Sequence, residues 1–307
     1  MEDEGGTETS SLIFLGTGCS SYVPSGMCLL KPSEPPCDVC FQSMSISPEN
    51  NPNYRCNTSL LIDYRPGDCD PRYILIDIGK TFRETVLRWF THYKIPQVDS
   101  IILTHEHADA CHGLDDLRAM QNTISVNEVV PLPIYLNQFT MDSIARKFPY
   151  LVAKKSKDID WKIIESCSEK SFVASGLQFV PLQVMHGEDY VALAFLFGEK
   201  FKVAYLSDVS RIPQNTEHVI SKDGGRQLDL LIFDANTPKK IVTRSTHHCL
   251  DQSLDAVKRI CPKRALFVGM NHDFDHHQHN KILEVWSAKE GIPVQLARDG
   301  LRIPVDL

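Results

Sequence analysis

Residues 100–109 read Ser-Ile-Ile-Leu-Thr-His-Glu-His-Ala-Asp, and this stretch decides the fold and the chemistry that we predict. The apolar run from Val98 to Leu103 predicts a buried strand, and the polar cluster begins directly after it. Because alternate residues of an extended segment point the same way, His105 and His107 can share one metal ion. Imidazole suits zinc, iron or manganese, and the carboxylate of Asp109 widens that choice. The stretch therefore predicts a metal site anchored on a strand end.

Two later strand ends carry further candidate ligands. His186 follows the apolar segment that ends at Met185, and Asp208 follows the segment that ends at Leu206. A lone polar residue at a strand end is usually a turn residue, but these two complete a four-ligand set with the cluster. A catalytic metal site keeps one position open for a water molecule, whose pKa the ion lowers to about 7. We therefore predict a metal-dependent hydrolase.

The composition is that of a globular protein, with 42% hydrophobic and 23% charged residues and a net charge of −7. The acidic balance argues against a general surface for binding polyanions. No apolar run approaches the roughly 20 residues of a membrane helix. Residues 1–10 are acidic and polar, which predicts a disordered tail and, with no signal peptide, a cytoplasmic protein. The ten cysteines are spread unevenly, so we expect free thiols and metal ligands rather than disulfides.

The remainder, residues 11–307, alternates strand and helix patterns in two similar halves, which predicts one α/β domain built as a layered sandwich. Residues 20–55 are rich in Pro, Cys and Asn and are expected to form a long, inserted loop. Predicted strands cover 11–15, 59–64, 73–77, 98–103, 133–136, 161–165, 171–174, 178–184, 191–197, 202–206, 229–233, 265–268 and 293–296. Predicted helices cover 81–93, 114–122, 141–148, 250–260 and 279–289.

The order of these motifs resembles the metallo-β-lactamase fold: Asp77-x-Gly79, then the histidine cluster, then His186 and Asp208. Other motifs resemble the branch that contains the bacterial cyclic phosphodiesterase of phosphonate breakdown. They are Gly16-Thr17-Gly18-Cys19-Ser20-x-x-Val23-Pro24, His112-Gly113-Leu114-Asp115-Asp116-Leu117-Arg118, His247-x-x-Leu250 and His272-x-Phe274-Asp275. The resemblance implies a four-layer αββα sandwich, in which helices flank two mixed β-sheets.

The resemblance also implies the roles of the site residues. His105, His107 and His186 would hold a first Zn²⁺ or Mn²⁺ ion, Asp208 would bridge to a second, and Asp109 would belong to that second ion. Metal-activated water would attack a phosphodiester of a small cyclic or nucleotide-like phosphate. His247 would lie at the rim and bind phosphate or act as a general acid, although a solvent-facing helix-start histidine is an equal alternative.

Two positions depart from the family pattern. Ala110 stands where the motif His-x-His-x-Asp-His has its last histidine, and Gly269 stands where the family has a late histidine on the same ion. Neither side chain can ligate a metal. Our hypothesis is that the second metal site is weak, rebuilt with oxygen ligands, or empty. His112, His247 and His276 are candidate substitutes.

A second, structural zinc site is expected in the inserted loop. Cys37 and Cys40 have the two-residue spacing of a zinc knuckle, which is weak evidence alone. The resemblance adds His272 and a third cysteine, for which Cys28 is preferred and Cys19 is the alternative. Four protein ligands would leave no position for water, so this zinc would be structural.

Several functions remain open on the sequence alone. A small-molecule phosphodiesterase is favoured over an RNA 3′-processing nuclease, because the chain is acidic and lacks the long arm typical of that class. A thioester or lactone hydrolase and a metal-binding protein with weakened catalysis also fit the sequence. The expected partner is a small phosphate-containing substrate rather than nucleic acid or a membrane, and a homodimer is left open.

Overall fold

The structure is a computed structural model that describes residues 9–67, 69–120, 123–125, 128–153, 158–240 and 246–307. The strands in chain order are β1 Ser11–Gly16, β2 Ser59–Tyr64, β3 Arg72–Ile76, β4 Ser100–Ile102, β5 Thr123–Ser125, β6 Glu128–Val129, β7 Leu132–Leu136, β8 Ile159–Ile163, β9 Phe172–Ala174, β10 Leu177–Met185, β11 Val191–Phe197, β12 Val203–Leu206, β13 Leu230–Asp234, β14 Ala265–Val268, β15 Val294–Leu296 and β16 Arg302–Pro304. The α-helices are α1 Gly26–Leu30, α2 Asp38–Ser45, α3 Phe82–Thr85, α4 Thr91–Tyr93, α5 Ala108–Cys111, α6 Gln138–Lys147, α7 Pro149–Val152, α8 Gln214–Ile220, α9 Leu250–Ile260 and α10 His276–Glu290.

Two seven-stranded sheets form among the described residues, and both are mixed. The first has the order β16-β1-β2-β3-β4-β7-β8, and the second has the order β15-β14-β13-β12-β11-β10-β9. In each sheet, one half pairs antiparallel and the other half, β3-β4-β7-β8 or β12-β13-β14-β15, pairs parallel. The two halves of the chain therefore build matching sheets, as their similar sequence patterns predict.

Three hydrophobic clusters define the four layers. The central cluster joins apolar side chains of both sheets, such as Phe14 and Ile76 from the first and Phe195 and Ile232 from the second. A second cluster packs the outer face of the first sheet against helices that include α6. A third packs the second sheet against α8, α9 and α10. Because both faces of each sheet are covered, strands such as β1 are buried at every residue rather than at alternate ones. The four-layer αββα sandwich is confirmed.

The loop predicted at residues 20–55 contains α1, α2 and a short 3₁₀ turn, Pro48–Asn50. Arg55 ends it, and this side chain is fully buried. Its guanidinium donates to the carbonyl oxygens of Asn271 (3.3 Å) and Phe274 (2.9 Å) and to Oδ1 of Asn53 (3.1 Å). A buried charge is tolerated only when such partners replace water. Arg55 therefore fastens the end of the loop to the segment that precedes α10.

Several elements differ from the sequence prediction. Strand β16 was not predicted, and it pairs with β1 at the edge of the first sheet. The helix predicted at 114–122 is a 3₁₀ helix, His112–Met120, and its last two predicted residues lie outside the described residues. The tail was predicted at residues 1–10, of which residues 1–8 also lie outside the described residues. Ser10, within that predicted tail, is buried and accepts a hydrogen bond from the Arg65 amide. No helix in the described part of the chain is long and apolar enough to cross a membrane.

Strand direction brings the candidate residues to one edge of the sandwich. Strands β10 and β12 both pair antiparallel with β11, so they run the same way, and β13 and β14 run parallel to β12. Their carboxyl ends therefore meet at one edge of the second sheet, where ligands bind in sheets of this kind. His186 and Asp208 follow β10 and β12 at this edge, and Asp234 is the last residue of β13.

Candidate metal and catalytic site

Three imidazoles converge at this edge. His105 follows β4, His107 precedes α5, and His186 follows β10. One ring nitrogen from each lies within 4.8 Å of the others, and Nε2 of His186 is 3.1 Å from Nδ1 of His107. Ligand nitrogens on a tetrahedral zinc are about 3.3 Å apart, given a Zn–N distance of about 2.0 Å. The spacing of the three nitrogens therefore suits one shared cation.

Hydrogen bonds fix two of these rings so that a free nitrogen faces the site. Thr104 Oγ1 donates to the buried carboxylate of Asp77 (2.9 Å) and accepts from Nδ1 of His105 (2.8 Å). Nδ1 of His186 donates to the carbonyl oxygen of Thr246 (2.9 Å). Partners of this kind set the tautomer and the orientation of metal-binding imidazoles. Nε2 of His105 and Nε2 of His186 are thereby left as acceptors.

The protonation states of His105 and His107 also suit a metal. Burial lowers the pKa of His105 well below its usual value and lowers that of His107 as well. Only the neutral imidazole binds a cation. Nε2 of His105 is buried and has no hydrogen-bond partner, which is costly for a polar atom unless something else occupies its lone pair. A divalent cation between the three rings would satisfy it, so the residues present fit the metal that the fold family implies.

A second group of candidate ligands adjoins the first. His186, Asp208 and His247 offer ligand atoms that all lie within 4.8 Å of one another. Asp208 and His247 line a narrow internal cavity of about 10 Å³ together with Asp109. The three predicted oxygen and nitrogen donors therefore share one small space beside the histidine trio.

Ala110 and Gly269 line this same cavity. The two positions that lack the expected imidazoles thus lie together, in the place where a second ion would bind. The three histidines that were candidate substitute ligands lie in different places. His247 lies in the cavity, His112 packs its ring on Phe148 (5.5 Å between centroids), and His276 lines a separate surface cavity.

Asp234 is a site residue that the sequence prediction missed. Its carboxylate is fully buried, and Oδ2 accepts hydrogen bonds from Nδ1 of His247 (2.7 Å) and from the Val209 amide (3.0 Å). Burial raises the pKa of Asp234 to about 6, although the charge of His247 opposes this. Burial disfavours the charged form of His247, but the Asp234 carboxylate outweighs it and raises the pKa of His247 to about 9. The two form a buried acid–imidazole pair beside Asp208.

An aromatic side chain covers the histidine trio. The ring of Tyr190 is stacked on that of His107, with 5.1 Å between centroids and 18° between planes, and it also contacts His105 and His186. Its hydroxyl donates to the Glu106 carboxylate. Sequence reasoning missed Tyr190 because nothing in its local pattern distinguishes it from a core tyrosine.

The expected structural zinc ligands also come together. Cys28, Cys37, Cys40 and His272 offer ligand atoms within 4.8 Å of one another. Nδ1 of His272 is 3.6 Å from the Sγ atoms of both Cys28 and Cys37. A tetrahedral zinc with Zn–S of about 2.3 Å and Zn–N of about 2.0 Å separates sulfur and nitrogen by about 3.6 Å. The group therefore has the dimensions of a zinc site with Nδ1 as its nitrogen ligand.

Cys19, the alternative third cysteine, lies elsewhere. Its Sγ is 3.4 Å from Oγ of Ser21, and it lines the small active-site cavity. Cys28 lies in α1, and its Sγ atom is near His272 although the segment from Leu29 to Pro36 separates it from Cys37 in the chain. The structure thus gathers the preferred set and leaves out the alternative.

The two sheets and the histidine-bearing edge define a metallo-β-lactamase-fold hydrolase. A family model described as "Beta-lactamase superfamily domain" matches residues 72–270, and the chain belongs to this superfamily. A diphosphatase from the PhnP family is similar in structure, with a TM-score of 0.76, 28% identity, and coverage of 97% of this chain and 98% of that one. The resemblance to the metallo-β-lactamase fold and its phosphodiesterase branch is thereby confirmed.

Two further relatives span the chain. Zn²⁺-bound PqqB from Methylobacterium extorquens has a TM-score of 0.72 and 15% identity over 96% of this chain and 100% of that one, which shows the shared fold. An octanoyltransferase from Porphyromonas gingivalis is 29% identical over 297 residues, or 95% of this chain. The chain spans about half (52%) of the length of that relative.

Proposed function

We propose that this protein is a metal-dependent phosphodiesterase that cleaves a small cyclic or nucleotide-like phosphate. The observation that carries the proposal is the convergence of three imidazoles, with the unpartnered Nε2 of His105, beside the buried Asp234–His247 pair. The first element suits a divalent cation, and the second suits proton transfer to a leaving group.

His105, His107 and His186 would hold the cation, with Asp208 as the oxygen ligand on the side of His247. When bound, Zn²⁺ or Mn²⁺ supplies a Lewis acid and an acidified water at this position. Asp77 and Thr104 hold the ring of His105 by the hydrogen bonds described above, and the Thr246 carbonyl holds that of His186. The protein thus prepares the ligand geometry before the cation arrives.

His247 would act as the general acid. Nδ1 of this ring is engaged by Asp234, so Nε2 is the nitrogen available to donate a proton. The imidazole of His247 adjoins that of His186, a proposed cation ligand, with ring centroids 4.8 Å apart. The Asp234 carboxylate would orient the ring and stabilise its charged form, as a buried carboxylate does for other catalytic histidines.

We propose that the active site works with one tightly held ion. The cavity that a second ion would occupy is lined by Ala110 and Gly269, whose side chains cannot ligate a metal. Asp109, Asp208 and His247 remain as donors there, but without the two missing imidazoles they support at most a weak second site.

The similarity to a PhnP-family diphosphatase supports phosphoester chemistry, because that relative covers 97% of this chain at 28% identity. A second candidate is an acyl thioester hydrolase. The relative that is named an octanoyltransferase favours it, since octanoyl transfer is acyl chemistry. The same metal and the same acid could serve either ester.

The deciding experiment measures hydrolysis of bis-p-nitrophenyl phosphate and of an octanoyl thioester, each with Zn²⁺ and with Mn²⁺. We expect turnover of the phosphodiester that is lost in His186→Ala and kept in His92→Ala, a control histidine that packs on Trp89 and Tyr93. Turnover of the thioester alone would establish the second candidate. If neither is hydrolysed with any metal, the site is a metal-binding scaffold and both enzyme proposals fail.

A further inference from the structure

An aromatic wall flanks the candidate metal site, formed by Tyr190 and Phe139. Tyr190 is the inner member and is held rigidly. One face lies on His107, its hydroxyl donates to Glu106, and its carbonyl oxygen accepts from the His186 amide at 2.9 Å. These three contacts tie the ring to the same residues that would hold the cation.

Phe139 is the outer member, and it lies near the start of α6. Its ring meets that of Tyr190 edge to face, at 5.9 Å and 71°, while 57% of the residue remains exposed. Isolated exposed apolar residues are common and need no explanation. This one differs because its contact leads directly to the ring that covers the metal ligands.

The surroundings of Phe139 indicate what kind of group would pack on it. The side chains beside Phe139 in the first turn of α6 are polar, and Gln138 donates to Asp142 at 2.7 Å. At the far end of the helix, Lys147 donates to the carbonyl oxygen of Glu106, the residue whose carboxylate accepts from Tyr190. A flexible acyl chain needs a continuous apolar groove, whereas a planar ring needs one exposed face with polar groups at its edge. The observed wall offers a single face in polar surroundings.

We propose that Phe139 is a specificity residue that stacks a planar heteroaromatic ring of the nucleobase class, carried by the substrate whose phosphate lies at the metal site. This inference rests on the proposed phosphodiesterase function and narrows its substrate to nucleotide-like phosphates. Stacking on an aromatic side chain tolerates any base, because every base has a π-face. The site would therefore select nucleotides over aliphatic phosphates without distinguishing strongly among bases.

The test compares binding of adenosine 5′-monophosphate, ribose 5-phosphate and octyl phosphate to the Zn²⁺-loaded protein by calorimetry, which does not depend on turnover. In the unmodified protein, the adenine compound should bind roughly tenfold more tightly than ribose 5-phosphate, as one stacked base provides. Phe139→Ala should remove this preference and leave the affinity for ribose 5-phosphate unchanged. Phe139→Trp should keep the preference. Tyr150→Ala is the matched control, since Tyr150 is 53% exposed but its ring contacts Phe148.

Three outcomes would overturn the inference: equal affinity for the two sugar phosphates, a preference that survives Phe139→Ala, or tighter binding of octyl phosphate than of the nucleotide. Absence of binding by all three compounds would also overturn it. Hydrolysis of bis-p-nitrophenyl phosphate, measured in parallel, keeps the two proposals separate. A base preference without turnover would uphold the stacking role and refute the phosphodiesterase. Turnover without a base preference would uphold the phosphodiesterase and refute the stacking role.

Discussion

Gly269 lies so close to the carboxylate of Asp234 that a side chain at position 269 would overlap it. A Cβ atom built on Gly269 would lie 2.4 Å from Oδ1 of Asp234, far inside van der Waals contact. Gly269 also has a φ of +77°, a conformation that disfavours every side chain. The buried carboxylate that accepts from His247 therefore leaves no room for an imidazole at position 269, which gives a structural reason for this departure from the family pattern.

We expect Gly269→Ala to destabilise the protein by about 1–3 kcal/mol from the positive φ alone, with more from the overlap with Asp234. Thermal unfolding measures the loss. Gly26→Ala is the matched control, because a Cβ there meets nothing within 4 Å, and its melting temperature should not change. Asp234→Ala removes the partner of His247 and has its own cost, so the double variant Gly269→Ala/Asp234→Ala should be less destabilised than the sum of the two single losses, because the overlap is then absent. Equal melting temperatures for Gly269→Ala and Gly26→Ala would refute this account.

Asp234→Asn should lower kcat for the phosphodiester by about 10²-fold or more, because the amide supports the charged form of His247 poorly. Zinc content and KM should stay close to their original values, which separates an effect on proton transfer from loss of the metal. Asp229→Asn is the control: Asp229 lies beside the opposite end of β13 and pairs with Lys263 at 2.7 Å. That variant should lose stability and keep kcat, and a similar fall in both variants would speak against the catalytic pair.

Metal counting by mass spectrometry should give two tightly bound ions per chain, one in the knuckle and one among the histidines. His105→Ala should remove the second and leave the first, because the alanine cannot replace Nε2. Three tightly bound ions in the unmodified protein would contradict the single-ion active site.

The candidate structural zinc site, formed by Cys28, Cys37, Cys40 and His272, can be tested separately from the active site. Cys28→Ser should release one zinc and lower the melting temperature, since three ligands hold the ion far less tightly and the loop loses its staple. Cys19→Ser should keep both ions, because that thiol is not among the four gathered ligands. Zinc loss from Cys19→Ser rather than Cys28→Ser would show that the ligand set is wrong.

Stability should fall as the pH rises through neutrality, owing in part to Asp299. Burial raises the pKa of this carboxyl to about 7, whereas an unfolded aspartate titrates near 4. The folded state therefore binds the proton more tightly, so the contribution of Asp299 is complete below about pH 4 and is lost as the pH rises to about 7. Denaturant unfolding at pH 5.5 and pH 8 measures the difference.

Asp299→Asn should weaken that dependence. The amide can accept from the Cys56 amide and donate to Oγ1 of Thr17, which are the two groups that the carboxyl contacts at 2.7 and 2.8 Å. The variant should therefore lose less stability than the unmodified protein between the two pH values. An identical slope in both proteins would exclude Asp299 as a source of the pH dependence. Asp306→Asn, at an exposed position, provides the reference.

The sequence predicts site residues best where a histidine or aspartate follows the end of a predicted strand. His105, His186 and Asp208 were predictable because an apolar run ends one or two residues before each of them, so their backbone positions follow from the sheet. Asp234 obeys the same rule, as the last residue of Leu-Leu-Ile-Phe-Asp, but the predicted strand stopped at residue 233. A lone aspartate after an apolar run was too common a pattern to stand out without a known partner.

Contacts between distant segments were not predictable. The hydrogen bond from His186 to the Thr246 carbonyl and the stacking of Tyr190 on His107 join residues 60 and 83 positions apart. Neither has a local signal, because both depend on how the loops meet after the sheets have formed. The short helices α1 and α2 were missed for a related reason: a segment rich in proline and cysteine has weak intrinsic preferences, and its packing decides its conformation.

The segment from Gly269 to His272 serves both sites at once. Gly269 lines the active-site cavity, and His272, three residues later, is a knuckle ligand. Met270, between them, pairs with Thr17 and Cys19 through its backbone. The spacing of these four residues is therefore shared by two sites, and an insertion or deletion within them would displace one site relative to the other.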